Sequence, residues 1–116
     1  MEDAAFSDEF CRFLQTSVPN VSAAELLLEL RARGEQGVKP RSHPERLLME
    51  GFVAHGLAAV LADGFVYRGS GQADAWVVTL AQAYRERPVT LFRVIYALRD
   101  TKVQSFADAF RVRKKD

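Results

Sequence analysis

Few residues in this 116-residue chain have the types and spacing from which chemistry is built. Catalysis needs convergent groups, such as a nucleophile with its base or paired carboxylates, and a metal site needs several His, Cys, Asp or Glu ligands. The only cysteine, Cys11, stands between Phe10 and Arg12, near the apolar face of an N-terminal helix. That is the setting of a packed structural thiol, not of an activated nucleophile. The two histidines, His43 and His55, have no Cys or acidic partner at ligand spacing. Gly69-Ser70-Gly71 lacks the lysine and flanking pattern of a phosphate loop and reads as a hinge or wing tip. The residues therefore predict no catalytic set, no metal and no cofactor, and a chain that is not an enzyme.

Charge speaks to partners. Sixteen Lys+Arg against 15 Asp+Glu give a net charge of +1, without the strong basic excess of many nucleic-acid-binding domains. The charges are nonetheless segregated. Residues 1–10 hold the four acids Glu2, Asp3, Asp8 and Glu9 and no base, while Arg111, Arg113, Lys114 and Lys115 crowd the C-terminal end. That basic tail fits a solvated, dipole-complementing helix end. The sharper alternative is a salt-sensitive contact to nucleic acid or an acidic protein surface. One cysteine permits no internal disulfide, no apolar run approaches the roughly 18 residues of a membrane span, and the acidic start is unlike a signal peptide. The expectation is a soluble, cytoplasmic, single-domain protein without membrane contact.

The elements that must position these residues are mostly helical. Phe6, Phe10, Phe13 and Leu14 recur at helical spacing over Ser7 to Val18, with Ser7 as N-cap and Asp8 and Glu9 in the first turn. Pro19 and Asn20 end that segment. Ser22-Ala23-Ala24-Glu25 has the pattern of a capping box and opens a leucine-rich helix that stops at Gly34. Residues 34–41 read as a loop. A second capping box, Ser42-His43-Pro44-Glu45, starts a short helix through Phe52, with Gly51 and Gly56 bracketing a turn. Leu57, Val60 and Leu61 then repeat at spacings of three and four, predicting a further helix over His55 to Asp63, followed by strand-like Phe65-Val66-Tyr67-Arg68. Trp76, Val77, Leu80 and Tyr84 lie on one helical stripe. Val89 to Leu98 has the composition of a buried strand, but its length and Pro88 at the first position predict a helix. Val103 to Val112, with Phe106 and Phe110 four apart, closes the pattern.

Helix, loop, short helix, tight turn, second helix and strand form the order of a winged helix-turn-helix. Ser42 to Phe52 and His55 to Asp63 stand as its helix pair, and the run from Leu57 to Arg68 resembles a passage from recognition helix to wing. Ser22 to Leu28 and Ser105 to Lys115 extend the resemblance to a group of bacterial winged-helix proteins of uncharacterised function. It implies a mostly α fold: a winged-helix-like core over about 20–71, preceded by an N-terminal helix and followed by a C-terminal helical extension over about 72–116.

Bases are read by Arg, Lys, Asn or Gln side chains, and residues Val53 to Ala62 offer only His55. Arg41, Arg46 and Arg68 fit either a solvated face or phosphate contacts that position a duplex without reading it. An apolar recognition surface suits a protein partner instead. Trp76, Tyr84, Phe92 and Tyr96 fit core packing or, alternatively, a homodimer interface built on the C-terminal helices. The expected function is a small regulatory protein acting in or near transcription through DNA or protein contacts. The alternative is an interaction adaptor or dimerising helical module that does not bind DNA.

Overall fold

The computed structural model describes residues 6–99, and the structural statements that follow concern those residues. In order they form α1 (Asp8–Ser17), α2 (Val21–Arg33), a 3-10 turn (Gly34–Gln36), α3 (His43–Ala54), β1 (Ala58–Leu61), β2 (Gly64–Tyr67), α4 (Gly71–Glu86) and α5 (Pro88–Arg99). The fold is mostly α-helical with one small antiparallel sheet. None of the described helices is long and apolar enough to cross a membrane.

The helix starts follow local chemistry. Ser7 caps α1, its hydroxyl accepting from the Phe10 N–H at 3.1 Å. The Ser22–Glu25 box does not form. Asn20, in extended backbone, takes the N-cap of α2 and accepts from the Ala23 N–H at 2.7 Å. Asparagine caps as well as serine does, and a start at Val21 leaves Val21 packed against the core and Glu25 free to accept from Tyr84. At α3, Ser42 accepts from the Glu45 N–H at 3.3 Å, while the Glu45 carboxylate reaches back to the N–H of Arg41 at 2.9 Å. Gly51, expected at a turn, lies inside α3; the turn comes at His55 and at Gly56, whose φ is 77°.

The largest departure is the expected helix over His55 to Asp63, which is absent. Its residues form β1 and the Ala62-Asp63 turn, with Leu61 opposite Gly64 and Ala58 opposite Tyr67. Three causes act together. The positive φ of Gly56 ends α3 and leaves room for less than two helical turns before Gly64, a marginal length. The spacing of Leu57, Val60 and Leu61 is not that of a buried face, because Leu57 is buried while Val60 and Leu61 are exposed. Finally, Phe65, Val66 and Tyr67 are strand formers that offer β1 a ladder, and pairing overrides the helix propensity of Ala58 and Ala59.

Within the expected loop, Val38 makes an antiparallel bridge to Phe65, with N–H···O distances of 2.8 and 2.9 Å. The sheet therefore lies in the order Val38, β2, β1, with β1 at one edge. Glycine is required on both sides of that bridge. A Cβ on Gly37 would lie 2.7 Å from the Phe65 carbonyl oxygen, and one on Gly64 would lie 2.7 Å from that of Val38.

Val89 to Leu98 is helical, as its length and Pro88 predict. Leu91 and Ile95, four apart, are buried as α5 packs on α1 and α4. One continuous apolar cluster runs through the molecule, joining Phe10 and Leu14 of α1, Leu27 and Leu30 of α2, Met49 and Phe52 of α3, Leu57, Leu80 of α4 and Ile95. Each such side chain contributes about 1.5–3 kcal/mol on burial.

Candidate functional site

Among the described residues, Cys11, His43 and His55 do not form a joint group. Cys11 is half-buried, and burial together with the nearby Asp8 pushes its thiol above the ordinary range, which keeps it protonated and poorly nucleophilic. His43 and His55 stand at opposite ends of α3, about 18 Å apart along a 12-residue helix. The His55 Nδ1 shares a hydrogen bond with the Gly51 carbonyl at 2.8 Å. Among the described residues no three His, Cys, Asp or Glu side chains are grouped to hold a metal. Gly69-Ser70-Gly71 joins the sheet to α4, with the Tyr67 ring lying against Gly69, whereas the hairpin tip is Ala62-Asp63.

The four residues expected to face a duplex have different surroundings. Arg41 is engaged by acids: its guanidinium takes Glu29 in a two-point pair at 2.8 and 3.3 Å and donates through Nε to Glu45 at 3.0 Å. Those bonds raise the Arg41 pKa and hold the Glu45 carboxyl below its usual range. Arg46 is exposed beside the hairpin tip, lining a cavity of about 350 Å3 with Val60, Leu61 and Asp63. His55 and Arg68 lie at the other end, where the Arg68 N–H bonds the Leu57 carbonyl at 2.8 Å. Neither Arg46 nor Arg68 is ion-paired with a described carboxylate.

Between those ends β1 is apolar throughout. Val60 is 67% exposed on the edge strand, and Leu61 and, on α3, Leu47 are also exposed. The only charged side chain from Leu57 to Gly64 is Asp63, which pairs with Lys39 at 3.3 Å. A latch fixes the far end of the hairpin to the helices. Arg31 Nε of α2 donates to Asp74 Oδ1 of α4 at 3.0 Å, and the Tyr67 hydroxyl of β2 donates to the same oxygen. The two hydrogen bonds, that from Arg31 the stronger, hold the Asp74 carboxyl below its usual range. Burial first, and the bond to Asp74 second, push the Tyr67 phenol well above its ordinary value.

Three of the four aromatic residues weighed for a dimer interface pack inside the chain. Trp76 lies 6.1 Å from Phe10, Tyr84 and Phe92 meet edge-to-face at 5.8 Å, and the Tyr84 hydroxyl donates to Glu25 at 2.8 Å. Tyr96, with Val89, is exposed on α5. Arg111, Arg113, Lys114 and Lys115 lie outside the described residues. The sequence reading missed Glu29, Tyr67 and Asp74 as partners, because pairs such as Arg31 and Asp74, 43 residues apart, leave no periodic trace. It missed Val60 as an edge residue because a helical spacing was present to be read instead. Comparison with models of protein families, with curated proteins and with solved structures finds no match to this chain.

Proposed function

We propose that this chain is a small non-enzymatic regulatory module, a winged-helix-like frame that works through protein contacts made by the hairpin and the adjoining face of α3. The frame is supported by element order: a helix, a strand residue at Val38, a second helix, then a hairpin whose inner strand pairs with Val38. The protein-contact reading is carried by one observation. The stretch that base recognition requires as a helix bearing polar readers is an edge strand with an exposed valine at its centre. Hydrogen-bond readout of bases has no side chain to work with there, whereas an open strand edge with apolar flanks is a surface that extended polypeptide recognises.

The DNA version keeps one supporting observation, the two exposed arginines Arg46 and Arg68, unpaired with any described carboxylate. A mobility-shift assay at about 50 mM salt, where phosphate contacts are strongest, separates the two. The protein-contact reading expects no shift. A shift abolished by Arg46→Ala with Arg68→Ala establishes the DNA version and overturns it. The positive arm is binding to a protein partner that Val60→Lys abolishes and that survives the paired arginine substitutions.

A further inference from the structure

A second surface, remote from the hairpin, has an occupant written in this chain's own sequence. Helices α1 and α4 enclose an open groove of about 600 Å3. Buried Phe13 and half-buried Trp76 form its floor, and exposed Glu9, Arg12, Thr16 and Gln72 form its rim. Phe10 packs on Trp76 at 6.1 Å from within the core. Glu9 of the rim and Asp8 beside it in the first turn of α1 are in no ion pair with a described residue.

The chain continues past α5 for 17 residues that lie outside the described ones. Their sequence carries Val103, Phe106, Ala107 and Phe110 at intervals of three, four and seven, followed by Arg111, Arg113, Lys114 and Lys115. Apolar residues at that spacing need a hydrophobic surface to cover. Four cations beyond them are complementary to the acids at the start of α1, namely Asp8 and Glu9, and to Glu2 and Asp3 before it in the sequence. The chain leaves α5, which packs on both walls of the groove, and residues 100–102 span up to about 10 Å before the first apolar residue.

We propose that the groove between α1 and α4 is the docking site for residues 103–115 of the same chain, with Phe106 and Phe110 over Trp76 and the basic run against Asp8 and Glu9. The occupancy neutralises the acidic start of the chain and covers the indole.

Trp76 is the only tryptophan, so its emission reports the groove directly in the full-length protein. The proposal expects Phe106→Ser with Phe110→Ser to shift Trp76 emission to the red and to raise its quenching by acrylamide, with the far-UV melting profile retained. Glu9→Lys on the exposed rim is expected to do the same in part, and Glu35→Gln, exposed on the 3-10 turn away from both surfaces, to do nothing. Unchanged emission and quenching in the double variant overturn the proposal. Should the double variant melt early, Glu9→Lys decides, and unchanged emission there overturns it. A dilution series separates the remaining source: protection of Trp76 that disappears on dilution, together with a dimer in sedimentation, assigns the occupant to a second copy and overturns docking within one chain.

Discussion

The latch formed by Arg31, Tyr67 and Asp74 sets the clearest residue-scale expectation. A carboxyl whose folded pKa is depressed adds stability that is present above its ordinary pKa and lost as pH falls through the folded value. Asp74 therefore contributes near neutrality, and its contribution begins to fall near pH 4, the usual carboxylate range, and is gone only below the depressed folded value. Asp74→Asn is expected to cost about 1 kcal/mol at pH 7, the scale of a solvent-exposed ion pair, and to flatten the acid limb of stability in urea titrations. Tyr67 has the opposite sign. Its raised phenol pKa gives stability that is present below the ordinary value and lost above about pH 10, so Tyr67→Phe is expected to remove part of the alkaline limb. An Asp74→Asn profile parallel to the wild type throughout the acid range would show that the latch is not formed in solution.

At the scale of elements, the hairpin depends on close backbone approach more than on side-chain preference. Val38 meets Phe65 only because position 64 has no Cβ, and Gly37, at φ 74°, adds a conformation that other residues adopt at a cost. Gly64→Ala is expected to destabilise by about 1–3 kcal/mol, the range for local backbone strain, and to release the Val38 and Phe65 amides to hydrogen exchange while those of α4 stay protected. Protection at Val38 equal to that of the parent chain would contradict the geometry. Much of this level was legible beforehand: Ser7 and Ser42 as caps, Pro88 opening α5, Gly56 closing a helix. The hairpin was not, because Ala58-Ala59-Val60-Leu61 carries a helical spacing and helix-prone alanines, and only the partner strand decides between periods.

At the scale of the whole molecule, the described helices α4 and α5 share one apolar cluster with the elements before them. Trp76 of α4 packs on Phe10 of α1, Tyr84 bonds Glu25 of α2, and Ile95 of α5 lies in the same cluster as Leu14 and Leu27. A shared core implies a single cooperative unit. Unfolding followed by Trp76 fluorescence and by far-UV circular dichroism is expected to give coincident transitions. Ile95→Ala is expected to lower both together, by about 2–5 kcal/mol for loss of a buried aliphatic side chain. Transitions that separate by probe would place α4 and α5 in a unit of their own.

By itself, the sequence determined the helical class, most helix starts and stops, the buried face of α1 and much of that of α4, and the want of polar readers between Val53 and Ala62. These are local properties, set by the hydrogen bonding of capping side chains, the fixed φ of proline and the period of apolar residues. Tertiary structure alone decided that His55 to Asp63 turns into an edge strand, that Asn20 and not Ser22 caps α2, and that Arg41 is held by Glu29 and Glu45. Each of these outcomes is a competition between nearly equal local options. The winner is fixed by a partner outside the segment itself: the next strand to pair with, a tyrosine from α4 that bonds Glu25, a carboxylate from another helix.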